Sequence, residues 1–450
     1  MLPVALALIH ALAGVVPMPS ASPVAPESAP VCPAVAIVRD VGRACRNVDG
    51  LLEIRAPDGT VTGTTHGPDA VRPGDLLPAA GATLADPACA DPLLDPFHVR
   101  VIYARAHDDD DRFSSLLGSI RGTVRVALGT LSDAAAATGA SGATFKLRCD
   151  AVGDILVDNV VLPTNKTDAD FDTITRDLRA LGYADRRAKH WVLYDDPGAC
   201  TCGGQGHLAI DDSPYPSNTN NGNSPLPMFA VNYGYVFSSR IWLHELGHNL
   251  GAVQNSAPRS TRAGHCIDGR DTMCYADGGS RAGEYTQNVC SVEVFDCGKD
   301  DYFNLQPAPD TYLSRRWNLG SLGNRYLAVR GIPQPTVLDP APGAAYRGCT
   351  IRTLGRPDPR AANETSAAVV AGPVCVRLEV REIAASRVSL VLDGIEFAAA
   401  TTPGGVAPDG TQTWELEAPH PAPRGLRFLS IRAEGVNGFV SKLDVPIFVV

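Results

Sequence analysis

Long apolar runs are scarce in this chain of 450 residues. Away from the N-terminus, no stretch approaches the roughly 18 apolar residues that a membrane-spanning helix needs, so we expect no stable membrane anchor. The 39 basic residues form no sustained cluster and the net charge is −10, which argues against nucleic acid as a partner. With 44% hydrophobic and 20% charged residues, the composition is nevertheless typical of a folded chain with two or three domains.

The N-terminal sequence is the one apolar exception. Residues 1–16 read MLPVALALIHALAGVV, a run with the length of a signal-peptide core but without a basic flank, and small and proline residues follow it. The twelve cysteines are an even number, as expected for a chain that forms disulfides in an oxidising compartment. Together these features predict a signal peptide over residues 1–24 and a secreted, extracellular protein.

The spacing of the cysteines suggests three local disulfides. We expect pairing of Cys266 with Cys274, of Cys290 with Cys297, and of Cys349 with Cys375. A structural zinc site built on Cys266 and Cys274 is the alternative, which an oxidising compartment disfavours.

The pentad HELGH at residues 244–248 contains the residue types of a metal site. On a helix, His244 and His248 project from one face, one turn apart. Apolar residues recur around them at helical spacing after a polar N-cap in residues 237–239. Gly251 ends the helix and lets the chain turn, so that a third ligand can return to the same ion. Zinc suits such a site best, because it accepts neutral imidazole nitrogens and, with three protein ligands, keeps a position for water.

Residues 241–275 resemble the zinc-binding helix and Met-turn of the metzincin metallopeptidases. The helix pattern H-E-x-x-H-x-x-G at residues 244–251 and the sequence DTMCY at residues 271–275 carry the resemblance. More loosely, the order of predicted strands and helices over residues 98–330 is similar to that of reprolysin-like and astacin-like catalytic domains. The resemblance implies an α+β fold, in which a mixed twisted sheet supports the zinc-site helix.

This chain departs from the metzincin pattern at the third metal ligand. The pattern has a histidine or aspartate at the position where this chain has Gln254. A neutral glutamine oxygen is a poor zinc ligand. We favour His265 instead, because the loop before it is rich in Ser, Pro, Arg and Gly and can return it to the ion. Asp268 and Asp271 are further alternatives for the third ligand. The last alternative is that the site has only two histidine ligands and is inactive.

The resemblance also implies roles for neighbours of the ligands. The pKa of a zinc-bound water is lowered towards ~7, and Glu245 can take its proton as the water attacks a peptide carbonyl. Tyr275 matches a tyrosine that lies near the metal in astacin-like and serralysin-like enzymes and can donate a hydrogen bond to the reaction intermediate. Met273 would support the site by packing rather than by chemistry.

Residues 25–95 are rich in Pro, Gly and Ala, with short strand-like pieces such as residues 51–55. We interpret this region as a pro-segment or a small N-terminal module. Cys89 could cap the zinc in a latent form. We disfavour that role, because it would leave an odd number of cysteines for pairing.

The predicted peptidase domain spans residues 98–330. Its predicted strands are residues 98–104, 145–149, 154–162, 189–194 and 228–233, and the helices before the zinc helix are residues 113–138 and 168–181. Acidic residues 108–111 suit the N-terminus of the first helix, with a structural Ca²⁺ site as the alternative. The acidic stretch at residues 296–313 is a second candidate for a calcium site. We favour the interpretation that this stretch closes the lower part of the peptidase domain.

Towards the C-terminus the sequence pattern becomes that of an all-β region. Short alternating strands at residues 375–380, 387–392 and 426–433 are separated by Asp-Gly, Gly-Gly and Pro-rich turns. They resemble bacterial immunoglobulin-like domains. We therefore predict an immunoglobulin-like β-sandwich over residues 335–450, without a catalytic cluster of its own.

These inferences lead to one expected function and one alternative. We expect a secreted zinc endopeptidase that hydrolyses peptide bonds of a protein or peptide substrate. The alternative, motivated by Gln254, is an inactive metzincin-like scaffold that acts as a secreted binding or adhesion protein. A third strong ligand beside His244 and His248 distinguishes the two, since only the enzyme needs one.

Overall fold

The computed structural model describes most of the chain after residue 60. Its described residues are 36–38, 42–46, 52–55, 61–71, 82–93, 95–339, 345–347, 350–351, 368–371, 374–392, 395–417 and 425–449. The predicted signal peptide and Cys349 lie outside these residues.

Four short strands form an antiparallel sheet near the N-terminus. They are β1 (Ala36–Val38), β2 (Gly42–Arg46), β3 (Leu52–Arg55) and β4 (Val61–Thr65), paired in chain order. The chain that leaves β4 pairs with the main domain, Thr65 with His207 and Asp69 with Gly204. The N-terminal module therefore reaches the main domain through its last strand.

A mixed sheet of eight strands forms the centre of the fold. The strands are β5 (Ala88–Ala90), β6 (Val99–Ala106), β7 (Gly142–Arg148), β8 (Val157–Leu162), β9 (Lys189–Tyr194), β10 (Gly204–Gly206), β11 (Met228–Tyr233) and β12 (Leu327–Arg330). Strands β6, β8, β9 and β11 run parallel, whereas the short β10 lies at the end of the sheet and runs antiparallel to β11. The predicted strands at residues 189–194 and 228–233 coincide with β9 and β11.

Three longer helices cover the two faces of this sheet. The helices are α1 (Phe113–Ala136), α2 (Phe171–Ala180), α3 (Ser239–Asn249) and the single-turn α4 (Tyr312–Arg315). In β9, Trp191 and Leu193 join the core of α1 and α3, whereas Val192 and Tyr194 join the core of α2. Burial on both faces is typical of parallel strands. In the described part of the chain, no helix combines the length and the apolar character that crossing a membrane requires.

Helix α3 begins and ends as its sequence predicts. The hydroxyl oxygen of Ser238 accepts a hydrogen bond from the backbone N–H of Ile241 at 3.4 Å, which caps the first turn. Gly251 adopts φ 94°, a left-handed conformation that favours glycine and turns the chain away from the helix axis.

The chain between α3 and β12 has little regular structure and is held by disulfides. Cys266–Cys274 and Cys290–Cys297 form as predicted. The structure adds Cys89–Cys149 and Cys200–Cys202. Because Cys89 is bonded to Cys149, it has no free thiol that could bind the zinc. The alternative role of Cys89 as a cap on the metal is therefore wrong. Cys375 is also disulfide-bonded, but its predicted partner lies outside the described residues.

Two further sheets make up the C-terminal part. Their strands are β13 (Pro333–Asp339), β14 (Ala345–Arg347), β15 (Thr350–Ile351), β16 (Ala368–Ala371), β17 (Cys375–Glu382), β18 (Ala385–Leu392), β19 (Ile395–Ala400), β20 (Gly405–Val406), β21 (Gln412–Glu417), β22 (Gly425–Gly435) and β23 (Val440–Val449). Strands β13, β17, β21 and β20 form one sheet, and the other seven form the second. Leu378 and Trp414 of the first sheet share one buried core with Leu390 and Ile431 of the second. The region is a two-sheet β domain, and its immunoglobulin-like identity stays a prediction.

The acidic residues before α1 are engaged by the protein itself. Asp111 accepts a hydrogen bond from the backbone N–H of Phe113 at 2.9 Å, and Asp108 accepts one from that of Lys166 at 2.8 Å. The Lys166 ammonium lies 3.2 Å from Asp109. Arg112, the N-cap residue of α1, forms no side-chain capping bond, and the first turn contains no acidic residue, so Asp111 is the acidic residue that contacts the start of the helix. The structural Ca²⁺ alternative stays a prediction.

We expect Trp191→Ala to lower the free energy of unfolding by about 3–5 kcal/mol, because the indole is fully buried and donates to the Trp242 carbonyl at 2.7 Å. Chemical denaturation followed by circular dichroism measures the change. Leu181→Ala is the matched control: that side chain is 48% exposed, so its truncation should change the stability by no more than about 0.5 kcal/mol. Equal losses in both variants would contradict this packing.

Candidate metal centre

The two histidines of α3 are buried and oriented by backbone carbonyls. Nδ1 of His244 lies 2.7 Å from the Thr272 oxygen, and Nδ1 of His248 lies 2.8 Å from the Ala252 oxygen. A carbonyl oxygen only accepts, so each Nδ1 carries the proton and each Nε2 keeps a lone pair. The two Nε2 atoms are 3.0 Å apart. Nitrogens bound to one tetrahedral zinc at about 2.0–2.1 Å lie roughly 3.3 Å apart, so the pair is placed as two ligands would be.

His265 joins this pair from the irregular region after the helix. Its ring centroid lies 5.2 Å from that of His244 and 5.0 Å from that of His248. The backbone N–H of Val253 donates to the Gly264 carbonyl at 3.2 Å, which draws the loop back towards the helix. The carboxylate of Asp277 accepts from Nδ1 of His265 at 2.7 Å, so this imidazole is oriented in the same way as the other two.

The centre contains buried polar atoms that no hydrogen bond satisfies within the described structure. They include both carboxylate oxygens of Glu245, Nε2 of His265 and Oδ2 of Asp69. Buried polar atoms are nearly always partnered, and a cation among them would satisfy several at once. Three imidazoles with an adjacent carboxylate are the donor set that zinc prefers, so the residues fit this metal.

Glu245 lies between α3 and the edge of the sheet. A Cβ added to Gly206 would lie 2.8 Å from the Glu245 carbonyl oxygen, and one added to Gly204 would overlap its carboxylate. Burial raises the pKa of Glu245 well above its ordinary value, and the neighbouring Asp69 carboxylate adds to the rise. The two glycines of β10 therefore leave the space that this carboxylate occupies.

Asp69 is a site residue that sequence reasoning missed. Its Oδ1 lies 2.9 Å from Nε2 of His265, and its Oδ2 lies 3.3 Å from Nε2 of His244 and 3.9 Å from that of His248. Burial alone would raise the pKa of Asp69, but the surrounding imidazoles lower it well below its ordinary value. The only sequence signal was a pair of ligand-type residues, His66 and Asp69, three positions apart in the N-terminal module.

Gln254, the alternative third ligand, lies outside the cluster. Its side-chain oxygen accepts from the backbone N–H of Asp211 at 2.9 Å, and its side-chain nitrogen donates to the carbonyls of Ala209 and Gly251 at 3.1 and 3.0 Å. These bonds occupy the amide and hold the turn that follows α3. The position therefore supports the backbone, and the structure brings His265 to the two helical histidines in its place.

The two aspartates considered as ligands also lie elsewhere. Asp268 is held by the Arg259 guanidinium at 2.6 Å. Asp271 accepts from the backbone N–H groups of Met273 and Cys297, at 2.7 and 2.6 Å. Neither carboxylate belongs to the two groups that Asp69 forms, one with His66, His248 and His265 and the other with His244 and Glu245.

Met273 and Tyr275 flank the cluster. Met273 is fully buried, and a Cβ added to Gly247 would lie 2.7 Å from its sulfur, so the methionine packs directly beneath the helix. The ring of Tyr275 lies 4.2 Å from that of His265, centroid to centroid, and its hydroxyl donates to Oδ1 of Asp69. The supporting role of Met273 and the donating role of Tyr275 in a reaction stay predictions.

A second acidic group lies away from this centre and is satisfied largely by backbone. Asp296, Asp300 and Asp301 lie close enough to share a cation. The Asp296 carboxylate, however, already accepts from the backbone N–H groups of Tyr302 and Phe303, at 2.8 and 2.6 Å. This arrangement closes a turn, and the structural Ca²⁺ considered for this stretch stays a prediction.

No protein-family model matches the chain, and no curated protein matches it either. Among solved structures, wild-type OgpA from Akkermansia muciniphila matches with 9% identity and a TM-score of 0.27, over 82% of this chain and 97% of that chain. Catalytically inactive OgpA in complex with an O-glycopeptide substrate gives 9% identity and a TM-score of 0.26, over 82% and 96%. Metalloproteinase-II from Bacteroides fragilis gives 15% identity and a TM-score of 0.23, over 44% and 53%. At these values the likenesses carry no argument, so the functional assignment rests on the site itself.

We expect His265→Ala to weaken metal binding, and Gln254→Ala to leave it unchanged. Loss of a direct ligand should exceed the roughly 10–100-fold fall in affinity that loss of an outer partner costs. Gln254→Ala should instead lower the free energy of unfolding by about 1–3 kcal/mol, because buried backbone groups lose their partners. Chelator competition measures the affinity, and denaturation measures the stability.

The control for these two variants is His107→Ala, which removes an exposed imidazole. It should change neither the metal affinity nor the stability by more than experimental error. Weaker metal binding in Gln254→Ala than in His265→Ala would contradict the arrangement of ligands.

Proposed function

We propose that this protein is a secreted zinc-dependent endopeptidase. His244, His248 and His265 would hold the zinc, and Glu245 would act as the general base. One observation carries the proposal: all three imidazoles donate to an acceptor through Nδ1, and their Nε2 atoms lie together within 2.9–3.9 Å of the Asp69 carboxylate. Histidines that bind a metal typically donate a hydrogen bond from the ring nitrogen that does not bind the metal.

The chemistry available at such a centre follows from its donor set. Zinc bound by three imidazoles would lower the pKa of a bound water and stabilise negative charge on a carbonyl oxygen. The protein's own contribution is orientation, because the Thr272 and Ala252 carbonyls and the Asp277 carboxylate fix the planes of the three rings. Preoriented imidazoles bind the ion without having to reorganise.

Glu245 is placed to move a proton at this centre. It directly follows His244 on α3, and its carboxylate lies in the space left by the glycines of β10. From there it would accept a proton from an attacking water and return it to the leaving nitrogen. Because the residue is fully buried, solvent would compete little for that proton.

Tyr275 and Met273 would complete the site in different ways. The Tyr275 hydroxyl is a donor within the cluster, where it bonds to Asp69, and in a substrate complex it would donate to the oxygen of the attacked carbonyl. Met273 would fix the position of α3 relative to the irregular region that follows it, because its side chain packs against Gly247.

The position of His265 favours the enzyme over the inactive binding scaffold. The scaffold hypothesis was motivated by Gln254, a poor ligand at the position where the metzincin pattern expects a good one. Because His265 lies beside the two helical histidines, a strong third donor is available without Gln254, and this supports the enzyme over the scaffold. The disulfides support the proposed extracellular location, because such bonds persist in oxidising compartments.

We expect the zinc-loaded protein to cleave peptides in a quenched-fluorescence library, and Glu245→Gln to lower kcat/KM by about 10²–10⁴-fold with unchanged zinc content. Removal of the metal by a chelator should abolish cleavage, and added zinc should restore it. Glu284→Gln, which alters an exposed carboxylate paired with Arg281, is the matched control.

The Asp69→Ala variant should be assayed in parallel with these forms, since Asp69 lies against the three imidazoles. Absence of cleavage in every zinc-loaded form, Asp69→Ala included, would contradict the proposed function. Full activity in Glu245→Gln would contradict the role given to Glu245.

A further inference from the structure

Arg240 lies in the first turn of α3, four positions before His244. Residues at this spacing lie on the same face of a helix, so the two side chains are neighbours. A cation in the first turn faces the positive end of the helix dipole, which is unfavourable for the helix. The stability of α3 alone therefore does not account for an arginine at this position.

The two side chains bind the same acceptor. Nδ1 of His244 donates to the Thr272 carbonyl oxygen at 2.7 Å, and Nη1 of Arg240 donates to that oxygen at 3.2 Å. A carbonyl oxygen has two lone pairs, so it accepts both hydrogen bonds at once. One backbone oxygen thus binds a proposed metal ligand and a guanidinium cation together.

The Thr272 carbonyl is held in place by contacts other than Arg240. The backbone N–H and the hydroxyl of Thr272 both donate to the Val294 carbonyl at 2.8 Å. The carboxylate of Asp271, the preceding residue, accepts from the backbone N–H of Cys297 at 2.6 Å. Removal of the guanidinium would therefore leave the turn anchored and its carbonyl oxygen bonded to the imidazole.

The three imidazoles of the metal centre donate to acceptors that differ in charge. His265 donates to the Asp277 carboxylate at 2.7 Å, and His248 donates to the Ala252 carbonyl at 2.8 Å. His244 donates to a carbonyl that also binds a cation. An acceptor on the outer ring nitrogen raises the basicity of a metal-binding imidazole. A cation on that acceptor opposes the effect, because it draws electron density away from the imidazole.

We propose that Arg240 is a positioning residue, which acts through the Thr272 carbonyl and makes His244 the weakest donor of the three metal ligands. This inference rests on the zinc peptidase function proposed above. A metal ion that receives less charge from its ligands is a stronger Lewis acid towards a substrate carbonyl. Arg240 would thereby lower the affinity for the metal and raise the rate of the reaction.

The experiment compares the unchanged chain with its Arg240→Met and Arg240→Lys variants, each loaded with Zn²⁺. Methionine keeps an unbranched apolar stem without a donor, whereas lysine keeps a cationic donor. Arg316→Met is the matched control, because Arg316 is half-exposed and pairs with Asp212 at 3.2 Å rather than with a group of the metal centre.

Four measurements are made on each form. Proton NMR of ¹⁵N-labelled protein reports the Nδ1–H signal of His244, which moves downfield as its hydrogen bond strengthens. Chelator competition gives the zinc affinity, and chemical denaturation gives the stability. Cleavage of the quenched-fluorescence peptides gives kcat/KM.

We expect the His244 Nδ1–H signal of Arg240→Met to move downfield, because the Thr272 oxygen then accepts from the imidazole without a competing cation. The zinc affinity of this variant should be at least that of the unchanged chain. Its kcat/KM should fall by roughly 10–100-fold, the range typical for the loss of an outer partner in a metal site. Arg240→Lys should lie between the two, and Arg316→Met should behave as the unchanged chain.

An unmoved His244 signal or an unchanged kcat/KM in Arg240→Met would overturn this inference. Zinc affinity and stability that fall together in Arg240→Met would also overturn it, since Arg240 would then only hold the turn. Identical behaviour of Arg240→Lys and Arg240→Met would exclude a role for the cation, with the same result.

Failure of the proposed function gives a different outcome. A downfield His244 signal in Arg240→Met, without cleavage by any zinc-loaded form, would contradict the peptidase while supporting the action of Arg240 on His244. Binding of no zinc by any form, the unchanged chain included, would overturn both.

Discussion

The burial of three imidazoles at one point is the constraint on which the rest of the site depends. Each ring nitrogen that leaves water needs a partner, and each Nδ1 finds one in a segment that follows α3: the Ala252 carbonyl, the Thr272 carbonyl or the Asp277 carboxylate. The irregular region after the helix is therefore ordered by the histidines as much as by its own packing. Its backbone groups otherwise bond to one another in turns and isolated bridges, without forming a long strand or helix.

Local patterns predicted the parts of the fold that local physics decides. Helix α3 with His244, Glu245 and His248 follows from periodicity and from an i, i+4 spacing that only a helix brings together. Strands β9 and β11 follow from short segments rich in β-branched, aromatic and other apolar residues, and both are buried on both faces. His265 could be favoured because a single loop separates it from the helix, so that loop composition and ligand chemistry together limited the choice.

The remaining features depend on contacts between distant parts of the chain, which no local pattern encodes. Asp69 and Tyr275 are 206 positions apart, yet they share a hydrogen bond at the centre of the site. Gln254 was weighed as a ligand because its position matches a motif. Two of its three hydrogen bonds reach Ala209 and Asp211, whose location only the folded chain determines. The pairing of Cys89 with Cys149 similarly depends on the placement of β5 beside β7.

The disulfide between Cys266 and Cys274 has a consequence for how the protein matures. It encloses the stretch that begins just after His265 and includes Thr272, so one covalent link sets the distance between a proposed ligand and the carbonyl that orients His244. In a reduced chain this covalent link would be lost, and noncovalent contacts such as the hydrogen bond from the Cys266 N–H to the Met273 carbonyl at 3.4 Å would remain as the restraint. If the proposed metal binds, the disulfide would favour its stable acquisition by holding this ligand and this carbonyl at a fixed separation.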